Sequence, residues 1–544
     1  MNNPINRLRG FSRWHARLLG LGAIHALSFS AGPLPHWSLP FVQVFSLAIL
    51  AFHVFRSTGL QQAAVAGFLF GLSNFGLGLY WLYISMHEYG GMFAPLAATA
   101  VLLLAAGLAL FIAFACALTR WLSAAHLTLH TDYRRQLLIA TTWASAWMLT
   151  EWLRGTMFTG FPWMNIGYAH VEGVLAGWAP LAGVYGVAWL AAFAAAAIAL
   201  LACAKDTEND AKAAIGVGLT ILAGLAGIAL THVGWSRPLG EPMIIRLVQG
   251  NVPQSEKFDP QLVQQGIATY MKLAALPPKE ASGEPDLIVL PETVMPMFQD
   301  RIPPATWRQW LDIANARDAS LIMGIPLHDA AGGNDRYTNS AIGFNAATPL
   351  NELMSGQTAM RYDKQHLVPF GEFVPPGFRW FVDAMSIPLG DFDQGAARQP
   401  AFKIDDQMIA PDICYEDVFG EEIILSVRDS EEHGPGASIL VNMSNLGWFG
   451  DSWALRQHLQ ISRMRAIETA RPMIRATNTG MTVAIGPDGA VRAAIEPMRL
   501  GVLDVEVQGM QGQTPYVRLG NLPALVWALL FLLLGFAARK RQGK

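Results

Sequence analysis

Eight apolar runs, near residues 15–31, 38–55, 60–86, 93–119, 135–153, 178–203, 213–233 and 519–538, set the first limit on what this chain can fold into. A helix crossing the hydrocarbon core of a bilayer needs about 20 mostly apolar residues. In lipid the backbone must satisfy its own hydrogen bonds, so such runs are expected to be helices. Seven of the runs precede a long polar stretch and the eighth follows it. The expected organisation is a membrane domain of seven transmembrane helices over 1–235, a water-exposed domain over 236–512, and a last transmembrane helix with a basic tail over 513–544. The charges are divided accordingly. Before residue 236 the acids are Glu88, Asp132, Glu151, Glu172, Asp206, Glu208 and Asp210; the chain has 41, so 41 − 7 = 34 lie beyond. A net charge of −3 gives no reason to expect nucleic acid as a partner.

Basic residues orient the runs. With a cytoplasmic N-terminus, the inside segments hold Arg7, Arg9, Arg13, Arg17, Arg56, Arg120, Arg134, Arg135, Lys205, Lys212, Arg539, Lys540, Arg541 and Lys544, while the outside loops before the polar domain hold only Arg154. Cytoplasmic loops are enriched in Lys and Arg, so both termini are expected inside and residues 236–518 outside. The loop from Arg154 to Tyr168 is apolar but broken by Gly155, Gly160 and Pro162. It reads either as an interfacial loop with an aromatic anchor, Trp163, or as a re-entrant floor beneath a lipid-facing site.

From residue 243 the pattern changes to short runs rich in Ile, Val and Leu: Ile244–Gln249, Asp286–Leu290, Ser320–Gly324, Ser340–Phe344, Met408–Ile413 and Ser438–Met443. Helical stretches such as Pro304–Arg317 and Trp453–Ala470 intervene, and Pro-Asp-Gly ending at Gly489 marks a hairpin turn. Strands alternating with helices predict an α/β domain. The chain has three cysteines: Cys116 and Cys203 sit in apolar runs, and Cys414 is the one in the polar part, with no disulfide partner there. It is either a buried core residue or a nucleophile.

Three polar groups stand at strand ends: Glu292 after the apolar Leu-Ile-Val-Leu-Pro, Lys364 after Arg-Tyr-Asp, and Cys414 after Ala-Pro-Asp-Ile. A thiol needs a nearby base to become a nucleophile, which Glu292 can supply, and an ammonium such as Lys364 can stabilise an oxyanion. Glu372 can hold Lys364 or assist proton transfer. Singly, each has a plainer reading, a core thiol or a surface charge, and spacing alone does not join them. No Walker motif or zinc-type His/Cys cluster is present, so neither metal nor cofactor is expected.

Pro-Glu292, Tyr362-Asp-Lys364 and Ile413-Cys414-Tyr-Glu416 together resemble the Glu–Lys–Cys triad of the nitrilase superfamily. With Glu151-Trp-Leu-Arg-Gly, Thr159-Gly-Phe-Pro-Trp163, Val248-Gln-Gly-Asn-Val-Pro-Gln254, Lys364-Gln-His-Leu-Val-Pro-Phe-Gly-Glu372 and Arg463-Met-Arg-Ala-Ile-Glu-Thr-Ala-Arg-Pro472, the chain resembles the apolipoprotein N-acyltransferases. The resemblance implies an αββα nitrilase-like sandwich in the periplasm, carried by a multi-span protein of the bacterial inner membrane. It implies acyl transfer from a phospholipid, phosphatidylethanolamine in the family, through a cysteine thioester to the N-terminal diacylglyceryl-cysteine of an apolipoprotein.

By position, Glu292 resembles the family's base, Lys364 the oxyanion-stabilising lysine and Cys414 the nucleophile. Glu372, Tyr415, Glu416, Asn339 and Glu468 match supporting positions; Glu468 reads equally as a helix-surface partner of Arg465 or Arg471. Two departures stand out. Phe258 replaces a frequent tryptophan, keeping an aromatic for acyl or head-group packing, and Leu446-Gly447 replaces Asp-Ala in Ser-Asn-Asp-Ala-Trp-Phe-Gly. Phe378, Trp380 and Phe381 suit the membrane interface, so 373–392 is expected to be an arm that admits lipid. The rival readings are a membrane-tethered amidase using the same triad on small amides, and a transporter or receptor with an inactive nitrilase-like domain.

Overall fold

The computed structural model describes residues 4–29, 34–123, 133–204, 207–278, 283–330, 335–375, 377, 379 and 391–542. The chain divides into two compact units. One comprises Met1–Tyr83, Ala94–Val233 and Leu519–Lys544, and the other Ile84–Phe93 and Gly234–Arg518.

The first unit is helical. Its long helices are Pro4–Ala26, Leu39–Phe55, Leu60–Gly78, Ala94–Ser123, Tyr133–Thr156, Ala179–Cys203, Thr207–Leu230 and Leu522–Gln542, at the positions of the eight apolar runs. Among the described residues four helical stretches are long and apolar enough to cross a membrane, His36–Phe55, Ala94–Ser123, Ala176–Cys203 and Leu522–Arg541. A bent pair, Leu60–Gly78 and Trp81–Tyr89, makes a fifth if counted as one span. The expectation of eight spanning helices is therefore met only to this extent. Polar residues lie in two of the other helices: Glu151 within Tyr133–Thr156, with Arg134, Arg135 and Arg154 near its ends, and Glu208, Asp210 and Lys212 in the first turns of Thr207–Leu230. The third run, expected unbroken over 60–86, bends by 50° after Gly78. Leu79 leaves helical geometry there, and the Trp81 indole N–H donates to the Gly78 carbonyl freed by the break (3.0 Å).

The loop after Tyr133–Thr156 has an exposed tip, with Phe158 89% exposed, and then folds back, so that Pro162–Val171 is buried. Arg154 donates to the carbonyls of Phe161 (2.5 Å) and Trp163 (2.6 Å), and Glu151 accepts the amide of Ile166 (3.0 Å). A buried charged pair thus satisfies backbone groups that an irregular segment cannot satisfy by itself.

The second unit is a four-layer αββα sandwich. Its strands are β1 (Arg237–Pro238), β2 (Met243–Gln249), β3 (Leu287–Val289), β4 (Ser320–Asp329), β5 (Arg336–Phe344), β6 (Met360–Asp363), β7 (Phe402–Ile404), β8 (Gln407–Ile413), β9 (Ile439–Ser444), β10 (Met473–Thr477), β11 (Thr482–Ile485), β12 (Val491–Ile495), β13 (Gly501–Val507) and β14 (Met510–Gln511). One six-stranded sheet runs β13-β2-β3-β4-β5-β6 and the other β12-β11-β10-β9-β8-β7; β1 pairs with β14.

Alternation along each strand builds the layers. Leu287 and Val289 of β3 face the core between the sheets with Ile245, Leu247, Ile413, Val441 and Ile474. Ile288 and Leu290 face the other way, onto a core with Tyr270, Trp307 and Trp310 from helices Val263–Ala274 and Pro304–Arg317. Helices Gly420–Val427 and Trp453–Thr469 cover the outer face of the second sheet through Ile423, Ile424, Val427 and Leu459. Strands buried on both faces read as continuous apolar runs, which is why Leu287-Ile-Val-Leu290 shows no polar alternation.

Candidate active site

Glu292, Lys364 and Cys414 each follow a strand end, of β3, β6 and β8 respectively, so the two sheets bring them together from opposite layers. Gly324 in β4 lets the Glu292 loop pass close: a Cβ there would sit 2.5 Å from the Glu292 Cα and 2.7 Å from the Thr293 nitrogen.

The Lys364 ammonium is buried, 2.9 Å from Glu372 Oε1 and 3.5 Å from Glu292 Oε1. The Asn339 amide on β5 bridges the two carboxylates, donating to Glu292 Oε1 (2.8 Å) and Glu372 Oε1 (2.7 Å). Glu292 Oε2 accepts the Asn445 backbone N–H (2.9 Å), and Glu372 Oε2 accepts that of Val368 (2.8 Å). Burial works against the charge on Lys364, but Glu372 and Glu292 outweigh it and hold the ammonium protonated, above the ordinary lysine range. Burial pushes the Cys414 thiol up, Glu292 pushes it further, and Lys364 opposes both. The resting group is therefore the thiol, and a thiol has to give up its proton to act as a nucleophile.

Cys414 has a positive φ of 58° and begins the short 3-10 turn Cys414–Val418. A non-glycine residue in this region is strained and persists only where its surroundings fix it. Here the Cys414 carbonyl accepts from Asn442 Nδ2 (3.1 Å) and His458 Nε2 (3.1 Å). His458 Nε2 also lies 2.6 Å from Asp417, and its Nδ1 is 3.0 Å from Arg475, which can only donate. His458 therefore carries its proton on Nε2, and burial holds it neutral, below the ordinary imidazole range. Ser462, which receives Arg475 (2.5 Å), donates to Asp417 and completes this support.

Glu416 ties the lysine loop to the cysteine strand. Its carboxylate accepts the backbone N–H groups of Gln365 (2.7 Å), His366 (3.0 Å) and Ile413 (2.6 Å), and the Tyr362 hydroxyl (2.9 Å). Burial pushes it up to about 7, against Lys364 and these donors. Tyr415 is buried against His366 and Phe419, with ring centroids 5.8 and 5.2 Å away.

The remaining expected residues are dispersed. Phe258 stacks on Trp448 at 6.2 Å, and Tyr89 meets the same indole edge-on at 6.2 Å. Glu468 forms a buried ion pair with Arg465 (3.0 Å), the helix-partner reading, although within the interior rather than on the surface. Trp163 is buried in the helical unit against Trp81 (5.3 Å) and does not share a unit with Cys414. Phe378 and Trp380 lie outside the described residues. Leu446 is buried and Gly447 faces Gln254, so the first of these two positions is here apolar core.

Sequence reasoning missed Asn442, His458, Asp417 and Arg475, and also Lys257. The Lys257 Nζ donates to the Glu292 carbonyl (3.1 Å) from a buried position, and burial brings it down to about 7 against the pull of Glu292. A charged residue beside Phe258 and four charged or polar groups inside otherwise buried elements were the available signals. Among the described residues no His/Cys/Asp/Glu group could hold a metal.

Residues 21–197 match the family model described as the apolipoprotein N-acyltransferase N-terminal domain, and residues 245–516 match the carbon-nitrogen hydrolase model. The chain is 55% identical over 535 residues to an apolipoprotein N-acyltransferase of Bordetella bronchiseptica, covering 97% of both chains. It is 44% identical over 550 residues to that of Ralstonia nicotianae (99% of this chain, 96% of the relative) and 36% over 537 residues to that of Pseudomonas aeruginosa (96% and 98%). The two family models match the helical part and the αββα domain of one chain, its relatives are covered over almost their whole length, and the chain belongs to the apolipoprotein N-acyltransferase family.

Proposed function

We propose that the chain N-acylates bacterial lipoproteins, moving a fatty acyl group from phospholipid to the α-amine of an N-terminal diacylglyceryl-cysteine, with Cys414 as nucleophile, Glu292 as base and Lys364 as oxyanion partner. The observation that carries this reading is the buried set of Lys364, Glu292, Glu372 and Asn339, whose charges act on the Cys414 thiol.

Cys414 Sγ attacks the ester carbonyl while its proton passes to Glu292. That transfer moves charge within the cluster without changing its total, which a dry site requires. The Lys364 ammonium stabilises the tetrahedral oxyanion. Its collapse breaks the ester C–O bond; Glu292 returns the proton to the leaving lysophospholipid oxygen, and a thioester remains. The acceptor amine then attacks the thioester, Glu292 takes a proton from nitrogen, and the departing thiolate is reprotonated as the amide forms. Exclusion of water keeps the thioester for the amine.

The same reading makes all eight helices spans, with both termini cytoplasmic, the domain over 236–512 periplasmic, and phosphatidylethanolamine the donor. The basic-residue bias and the family resemblance support it. Phe258, Trp163 and the arm over 373–392 take substrate-facing roles, with Asn339, Glu372, Tyr415, Glu416 and Glu468 supporting. A membrane-tethered amidase fits less well, because tethering needs only one span.

The test is mass spectrometry of purified protein incubated with phosphatidylethanolamine. A hydroxylamine-sensitive acyl adduct on Cys414, absent from Cys414→Ala and Glu292→Gln, is expected. Folded wild-type protein that forms no adduct with any phospholipid would overturn the proposal.

A further inference from the structure

The cluster has an imbalance of charge. Glu292 and Glu372 share the single amide of Asn339, and Lys364 is the one ammonium between them. Two close carboxylates in a buried site repel one another, and a cation nearby offsets that repulsion. A protonated Glu292 is no base. One further positive charge on the Glu292 side would balance the set.

Lys257 supplies a candidate from a separate element. It ends the short helix Gln254–Lys257, is 3% exposed, and points its ammonium at the Glu292 carbonyl at 3.1 Å. That helix is fixed in turn: Asn445, whose backbone N–H binds Glu292 Oε2, donates through its side chain to Gln254 (3.0 Å) and accepts from Asn478 (3.1 Å). Glu292 is thus faced by Lys364 and Glu372 from the lysine loop, Asn339 from β5, Asn445 after β9, the Cys414 thiol after β8, and Lys257.

Resting on the proposed role of Glu292 as base, we infer that Lys257 is a positioning residue of the reaction, the second cation of the cluster, which keeps Glu292 ionised and its loop in place. It does not touch the reacting atoms. Removing its charge raises the affinity of Glu292 for a proton, so acylation fails at a pH where the wild type still works.

The test is the pH dependence of single-turnover acylation of Cys414 from phosphatidylethanolamine vesicles, in wild type, Lys257→Met, Lys257→Gln and Lys257→Arg. Glu416 titrates in the same range but is common to all four, and Lys257, which burial brings down to about 7, carries its charge below that value, so the displacement between the acidic limbs is what is read. A nearby cation lowers the proton affinity of a carboxyl, so the acidic limb of Met and Gln should move up by about one unit. Arg should restore it, and the KM for phospholipid should stay within about twofold. Gln keeps a donor for the Glu292 carbonyl and serves if Met does not fold. An unshifted limb, or an equal loss at every pH, overturns the inference. Wild-type activity in Glu292→Gln would instead overturn the role of Glu292 as base.

Discussion

Lys364 lies nearer to Glu372 than to Glu292, at 2.9 Å against 3.5 Å, although Asn339 binds both carboxylates at almost the same distance. Glu372 therefore takes the tighter hold on the ammonium, and Glu292 remains the freer of the two to accept a proton. In Glu372→Gln the ammonium should settle on Glu292 and lower its basicity. Single-turnover acylation of Cys414 should fall by about 10²-fold, the lower range for general base catalysis. Unchanged acylation in folded protein would show that Glu372 only fills space.

Removing the cation is expected to be worse. Lys364→Met leaves two buried carboxylates on one amide and takes away the oxyanion partner. Acylation should fall by about 10²–10³-fold, as for loss of an oxyanion donor. Thermal unfolding should also come at a lower temperature, because uncompensated buried charge remains.

Gly324 gives a purely steric test. Gly324→Ala places a methyl 2.5 Å from the Glu292 Cα, in contact with backbone rather than with a movable side chain. Overpacking of this kind costs about 1–3 kcal/mol. Denaturant unfolding should show that loss, and acylation should fall with it because the displaced atoms carry the base. A variant with wild-type stability would mean that the loop moves aside freely.

Glu416 predicts a pH-dependent stability difference. Burial raises its carboxyl to about 7 from a usual 4.5, so between those values the folded protein holds a proton that the unfolded chain has released. The stability contributed by this group is complete below about 4.5 and is lost as pH rises through 7. Glu416→Gln cannot titrate. The excess of the wild-type unfolding temperature over that of the variant should shrink from pH 4.5 to 7.5, and a gap that widens would contradict the assignment.

His458 tests the turn that carries the thiol. His458→Gln loses the fit between Arg475, Asp417 and the Cys414 carbonyl. Leaving such buried groups unsatisfied costs about 1–3 kcal/mol. Alkylation of Cys414 by iodoacetamide should slow as the strained φ relaxes, and an unchanged rate would show that the backbone holds the thiol without this network.

Much of this was legible in the chain, for identifiable reasons. Buried strands such as Leu287–Val289 and Ile439–Ser444 announce themselves as apolar runs, and Glu292 and Cys414 each follow such a run, whereas Lys364 follows the polar strand Met360–Asp363. What joins them was not legible from spacing, because β3 and β6 lie in one sheet and β8 in the other; only the family resemblance linked them. Lys257 and His458 were passed over since a lone charged residue usually faces water, and their burial follows from tertiary packing. The bend after Gly78 was hidden because apolar residues continue across it. Glu468 had two equal readings, a supporting site position or a surface partner of Arg465 or Arg471; its pair with Arg465 is buried, which helix periodicity alone cannot reveal in a helix packed on all sides.

The pairing of β13 with β2 has a consequence for biosynthesis. Strand β2 is among the first parts of the α/β unit to be made and β13 among the last, yet they are neighbours in the sheet that carries Glu292 and Lys364. Until the chain has been extended to about Val507, that sheet lacks an edge strand, although the strands that precede Glu292, Lys364 and Cys414 have all been made. An incomplete chain thus emerges with one sheet of its α/β unit still open along an edge, and that sheet is finished only when synthesis is nearly over.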